Sequence, residues 1–451
     1  MSLRMRLLLP LLLLFVPVLR AGEPVVPAAV GDGTTLNTVV LQKAIDTCSA
    51  QGGGRVRLPA GRYLTGTLQL KDNVILHLDE QAVLLGSTRA ADYRNLDPFT
   101  AGDGVKDLGY ALIVAVDAQH VGIEGPGTID GQGKAVKAAQ NPYTVRPFLI
   151  RWVRCSDITV RETHLTGPGA WTMHFFQCRN VAVDGVTIRS LGLVNNDGID
   201  IDSCETVRIT GCDIDSGDDA LCLKATSPRP CHDIVATGCR LKTVCNAIKL
   251  GTESLGDFEN IRISDCQIRD TGMAGIALYS VDGAHLQNVT MDGITMDGVS
   301  VPISVRLGAR LKTFRPGDQP RPPGALRDIT LRHIHATGAR LIGLLINGIP
   351  GHPVESLALD DIQIELVGGG KAADTAVQLP EKISAYPEMS MFGRNMPAYA
   401  LYFRHVDGIS LRNVHTNVTL PDTRPAGVFI DVVNMTPADF SGASVVGKMA
   451  P

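Results

Sequence analysis

The chain has 451 residues, 44% hydrophobic and 20% charged, with a formal net charge of −4. That is ample for a large core, and without a basic run there is no phosphate-binding stripe for nucleic acid. Aromatics make up only 5%, so the core must be mainly aliphatic, and 47 glycines suit many tight turns.

At the N-terminus Arg4 and Arg6 precede an apolar run over residues 7–19, which reads as a secretory signal peptide ending near Ala21. A retained N-terminal anchor is the alternative. The run is short for a membrane span, and no other segment qualifies. The protein is therefore expected to be secreted or periplasmic and free of the membrane after signal cleavage. Residues 22–451 are expected to form one domain acting as a monomer.

Next comes a helical pattern over residues 40–48, which Asn37 or Thr38 would cap and Gly52-Gly53-Gly54 would end. An amphipathic helix here would cover the first coil of a solenoid. From residue 70 the chain breaks into short strands, and a repeat becomes legible at Asp157-Ile158-Thr159-Val160. It returns at Asn180-Val181, Thr206-Val207, Asp233-Ile234, Asn260-Ile261, Asn288-Val289, Asp328-Ile329, Ser356-Leu357 and Gly408-Ile409. The early copies step by 23 to 28 residues; longer later steps imply insertions at residues 310–323 and 368–397. One strand-turn-strand unit per 20–50 residues marks a stacked solenoid, and inserted loops tend to gather on its binding face. The fold class expected is all-β, a single right-handed parallel β-helix with an N-terminal capping helix; the hand follows the general preference of parallel connections.

Ten cysteines in an exported chain would ordinarily suggest disulfides. Cys155, Cys178, Cys204 and Cys231 recur once per repeat, however, as do Cys212, Cys239 and Cys266. That pattern favours ladders of free thiols packed as small hydrophobes. No CxxC pair occurs, and no metal or other cofactor is expected.

The chemistry gathers where three lines align: Asn196-Asp197-Gly198-Ile199-Asp200-Ile201-Asp202, then Asp218-Asp219-Ala220-Leu221-Cys222-Leu223-Lys224, then Cys245-Asn246-Ala247-Ile248-Lys249-Leu250. Ile199, Leu221 and Ile248 form one apolar column, and Ile201, Leu223 and Leu250 another, two residues apart as strand side chains alternate. Equivalent positions on adjacent coils lie roughly 4.8 Å apart. Asp197 and Asp219 become neighbours, with Asp218 beside them if Gly217 permits a turn. Crowded carboxylates push at least one pKa upward, and one protonated and one ionised carboxyl is the minimum for glycoside hydrolysis. The competing readings are aspartates capping turns and a calcium cluster. Two polar columns are expected to face solvent beside this spot, one of Asp200, Lys249 and Ser304, the other of Asp202, Lys224, Tyr279 and Arg306. They would suit a polyhydroxylated, possibly anionic, polysaccharide or oligosaccharide, with Glu253 as a further contact.

The pattern Asn195-Asn196-Asp197, Gly217-Asp218-Asp219 and Lys224 resembles that of the polygalacturonases, glycoside hydrolase family 28. Gly127 to Gly133 and Pro168-Gly169-Ala170-Trp171 are similar to that family as well. The resemblance implies an inverting hydrolase on a parallel β-helix, with Asp218 as general acid and Asp197 and Asp219 holding the attacking water. It also implies that substrate is met by Asn195, Lys224 and the residues in place of two family motifs. The family's Gly-His-Gly falls on Cys245-Asn246-Ala247 and its Arg-Ile-Lys on Ala277-Leu278-Tyr279. The histidine is absent and so is the Arg-Lys pair that the family uses to grip galacturonate carboxylates, for which Lys249 and Arg306 are the substitutes at hand. Rhamnogalacturonan-directed or exo-acting relatives therefore fit better than a typical endo-acting enzyme. A β-helical lyase, needing calcium and a basic residue, and an inactive carbohydrate-binding solenoid are the other readings.

Overall fold

The computed structural model describes residues 26–97, 109–437, 440–441 and 445–449; the signal-peptide expectation for residues 1–21 lies outside them. Every strand ladder is parallel and pairs strands one coil apart. Three ladders result. The first carries Met173–Phe176, Ile199–Asp202, Leu221–Ala225, Ile248–Ser254, Ala274–Ser280, Val301–Leu307 and Leu344–Asn347. The second holds the nine repeat anchors, and the third includes Thr187–Ser190, Asp213–Ser216 and Arg240–Thr243. This is the parallel β-helix expected from the repeat.

Register explains why the fold is legible. Ile158, Val181, Val207, Ile234, Ile261, Val289, Ile329, Leu357 and Ile409 all fall in one paired column. Ile199, Leu221, Ile248, Ile276, Ile303 and Leu344 make a second column, completely buried. The residue before each anchor has positive φ: Asp157, Asn180, Thr206, Asp233, Asn260, Asn288, Asp328, Ser356 and Gly408. Glycine and short polar residues tolerate that left-handed conformation best, so the repeat's polar letter marks the bend into the second ladder. The Asn180 side chain donates to Asp157 Oδ1 at 3.0 Å, and Asn260 to Asp233 Oδ1 at 3.1 Å, linking successive bends.

Helix Thr38–Ala50 buries Leu41, Ala44, Ile45 and Cys48 over the first strands, as a cap should. Its expected capping differs. Asn37 occupies the N-cap position, but its side chain turns back, accepting from the Val30 amide at 2.7 Å and donating to the Thr35 carbonyl. The Thr38 hydroxyl instead accepts from the Gly66 amide at 2.8 Å. Both side chains tie the helix to the coil rather than to its own first turn.

All ten cysteines are free thiols. The pairing of Ser156, Arg179, Glu205 and His232 stacks Cys155, Cys178, Cys204 and Cys231 in one column. Cys212, Cys239 and Cys266 stack in another. Among the described residues no helix is long and apolar enough to cross a membrane.

The second insertion lies on the outer face of the first ladder. Its Met389, Phe392 and Met396 pack against Val301, Ile342, Leu345 and Tyr402. The first insertion is fastened at its two ends, by Arg310 to Asp282 and by Arg321 to Asp257. Ala309 donates its amide to the Ile383 carbonyl at 2.8 Å, joining the two insertions.

The bend column can be tested. Asn260→Val, a β-branched residue forced to φ +56°, is expected to lower stability by about 1–2 kcal/mol, and Asn260→Gly by less. Denaturant midpoints of the two variants against wild type read the difference.

Candidate active site

Asp197 and Asp219 sit at corresponding corners of adjacent coils, where the chain turns from the third ladder into the first. Gly198 donates its amide to the Asp219 carbonyl at 2.9 Å, and Ile199 to Ala220, so the two corners stack directly. Asn196 fixes the upper corner: its side-chain amide donates to the carbonyls of Pro168 and Ala170, while its oxygen accepts from the Leu193 amide. In the lower corner Gly217 donates to the carbonyls of Ser190 and Asn196, and the Ser216 and Thr243 hydroxyls donate to the Asp218 carbonyl. The turn expected at Gly217 is present, and it leaves Asp218 free of strand alternation. Its carboxylate, that of Asp219 and the Cys245 sulfur each place an atom within 4.8 Å of one another.

The carboxyl groups are driven apart in ionisation. Burial raises Asp218, with the Asp219 charge adding and Lys249 opposing. Asp197 is raised well above the usual range by burial, then by the neighbouring Asp200 and Asp218. Asp219 is buried too, yet Lys249 and Lys224 overcome burial and hold it at about 2. Lys249 Nζ lies 2.9 Å from Asp219 Oδ2, and the Asn246 side chain donates to Asp219 Oδ1 at 2.8 Å. One carboxylate in the cluster is thus fixed as an anion beside others that favour their protons.

Lys224 holds the other side. Its Nζ stands 3.8 Å from Asp197, 3.4 Å from Asp200 and 3.9 Å from Glu253, and 4.7 Å from the Trp171 ring centre. Burial works against ionisation of Asp200 and raises it. Asp202 is kept low despite burial, because it accepts from the Thr226 hydroxyl and amide and pairs with His174 at 3.3 Å.

The expectation that the polar columns face solvent is corrected. They point outward from the coil, but Asp200, Asp202, Lys224, Lys249, Ser304, Tyr279 and Arg306 are all buried. Parallel stacking sets each side chain against like-placed neighbours; the second insertion covers Lys249 and Arg306, and Thr226 and His174 close over Asp202. Tyr279 is fully enclosed and donates its hydroxyl to Ser304 at 3.0 Å. Arg306 donates to the carbonyls of Gly348, Glu381 and Lys382, anchoring the insertion instead of lining a groove. Asn195 accepts from Arg146 at 3.1 Å at the rim.

Sequence reasoning missed two residues that the insertion delivers. Glu388 accepts from Lys249 at 2.6 Å and from Asn246 at 3.1 Å. The Tyr386 ring lies 5.6 Å from the Lys249 ammonium. The only signal was the insertion's length, which says nothing about where its side chains land. A calcium ion would want six to eight oxygens. The spot among Asp218, Asp219 and Cys245 offers two carboxylates and a thiol beside the Lys249 ammonium, a poor donor set.

Among known families, glycosyl hydrolases family 28 matches the chain over residues 48–385. A probable polygalacturonase of Vitis vinifera is 29% identical over 377 residues, covering 76% of this chain and 74% of that protein. An exo-poly-α-D-galacturonosidase of Dickeya chrysanthemi is 43% identical over 114 residues, covering 23% of this chain and 18% of that protein. The family 28 exopolygalacturonase of Yersinia enterocolitica shares the fold with a TM-score of 0.71 at 20% identity, over 92% of this chain and 78% of its own.

Removing the cation at this centre has a defined signature. Lys249→Met leaves buried carboxylates unpaired and is expected to cost about 3–5 kcal/mol at neutral pH. Asp219, whose folded pKa is depressed, stabilises the fold above its unfolded pKa and loses that contribution as pH falls toward about 2. The gap between variant and wild type should therefore narrow on acidification, read as denaturant midpoints from pH 7 to pH 3.

Proposed function

The chain belongs to glycosyl hydrolase family 28 and is a glycosidase; from that premise we propose that it is an exported, inverting hydrolase acting at the ends of galacturonan-type pectic chains. The catalytic unit proposed is one domain, residues 22–451, built on the β-helix of the described residues. The working unit proposed is the monomer. Export rests on the basic and apolar residues at positions 4–19.

The observation that carries the reading is the opposed ionisation of adjacent carboxyls, Asp218 raised and Asp219 held at about 2. Asp218 is the general acid: it gives its proton to the glycosidic oxygen as the bond to the anomeric carbon breaks. Asp219 is the base, taking a proton from the water that attacks the opposite face of that carbon. Asp197, raised and with a buried Oδ1 lacking any hydrogen-bond partner, orients that water. Inversion requires room for that water beside the acid–base pair, and the anomer first released tests it. Lys224, beside Asp197 and Trp171, is the contact offered to a sugar carboxylate, with Asp200 and Glu253 holding its ammonium in place.

End-directed cleavage is supported by the second insertion. It packs over the first ladder beyond Lys249, against Tyr402, Arg306 and Arg404, which narrows the path for a chain along that face. A lyase reading finds no free base, since Lys224 and Lys249 are each held by two or more carboxylates.

On polygalacturonate the wild-type protein is expected to release mono- or disaccharide with little early fall in viscosity. The new reducing end should appear first as the inverted anomer by proton NMR. Asp218→Asn should lower kcat by about 10²- to 10⁴-fold. Unsaturated products absorbing in the ultraviolet, or a rapid viscosity drop, would overturn the assignment.

A further inference from the structure

Where the family pattern places a histidine, this chain has Asn246, and a carboxylate from a distant insertion has moved against it. We propose that Glu388 is a positioning residue of this site, holding Lys249 and Asn246 in register against Asp219. The proposal rests on the hydrolase reading above.

The geometry is closed on every side. The Asn246 oxygen accepts from the Ala274 amide at 3.1 Å, which fixes which end of the side-chain amide is NH₂. That NH₂ donates both to Asp219 Oδ1 at 2.8 Å and to Glu388 Oε2 at 3.1 Å. Lys249 is shared in the same way, 2.9 Å from Asp219 Oδ2 and 2.6 Å from Glu388 Oε1. Two buried donors thus bridge the same two carboxylates, and rotating either away would strand a charge. Lysine has many rotamers, and a single carboxylate would leave its ammonium free to swing; Glu388 supplies the second anchor.

Glu388 also moderates the cation. Alone beside Asp219, Lys249 would draw both members of the acid–base pair toward their anions. The groups facing Glu388 are Lys249, Asn246, Cys245 and Tyr279 from the coil and Tyr386 from its own loop. Lys249 is the only cation among these, and it is also among the groups that lower Asp218. Removing the Glu388 charge therefore strengthens the Lys249 field at Asp218 and Asp219, and both should ionise at lower pH.

The test uses Glu388→Gln and Glu388→Ala in the full chain. Glu388→Gln keeps the volume and is expected to move both limbs of the kcat–pH profile to lower pH. Glu388→Ala is expected to lower kcat on the order of 10²-fold through misplacement, with KM little changed. Wild-type rates and limbs in both variants would overturn the proposal. So would a slow Glu388→Ala beside a Glu388→Gln with unshifted limbs, the mark of a loop anchor alone. A readout independent of turnover is the Asp219 backbone amide, which donates to Asp218 Oδ1 at 3.0 Å and reports its titration by NMR. Its midpoint should fall in Glu388→Gln and stay unmoved if the proposal is wrong. A wild-type protein silent on all pectic substrates would sink the hydrolase reading while the amide titration still decides the place of Glu388.

Discussion

Parallel register is the constraint on which the rest depends. Once Ile199 pairs with Leu221 and Leu221 with Ile248, every other side chain of those coils has its neighbours chosen for it. Asp197, Asp219 and Asn246 are then stacked whether or not their chemistry favours it. The spacing of roughly 4.8 Å is close enough for carboxyl groups to perturb one another strongly. Cations at Lys224 and Lys249 make the arrangement tolerable, and by standing on opposite sides they divide the acids into differently ionised members.

Much of this was legible because periodicity in a solenoid is a statement about contacts. The nine anchors named positions that touch, whereas the left-handed bend at the polar letter before each is visible only in the backbone. The candidate acids Asp197, Asp218 and Asp219 were picked out in the same way, as neighbouring letters of aligned lines. What was misjudged follows from the same physics. A strand pattern says which way Tyr279 and Arg306 point, outward, but not what lies over them. The cover comes from an insertion with no repeat to index it, and its Glu388 meets Asn246 across 142 residues of chain. Capping by Asn37 failed similarly, because a tertiary partner competed for the side chain.

The two insertions divide the labour. Residues 310–323 are fastened by ion pairs to Asp282 and Asp257 near the rim of the first ladder, while residues 368–397 reach inward with both apolar and charged groups. Met389 and Phe392 seat the second loop by burial, and Arg306 holds its backbone. With the loop so fixed, a carboxylate at position 388 is as well placed as one on a strand. The histidine that the family pattern would put at position 246 is replaced by a side-chain amide whose NH₂ has two hydrogens to donate, which suits it to joining two carboxylates.

The coil's neighbour-only contacts have a further effect. Because each strand pairs with the coils above and below, loosening that starts at the N-terminal end must melt intervening rungs one after another before it arrives at Asp197. The rungs that carry Asp197, Asp218 and Asp219 sit well inside the stack, sheltered by the Thr38–Ala50 cap at one end and the long strands after Ile329 at the other. Fraying is thereby kept away from the one place where an ångström matters.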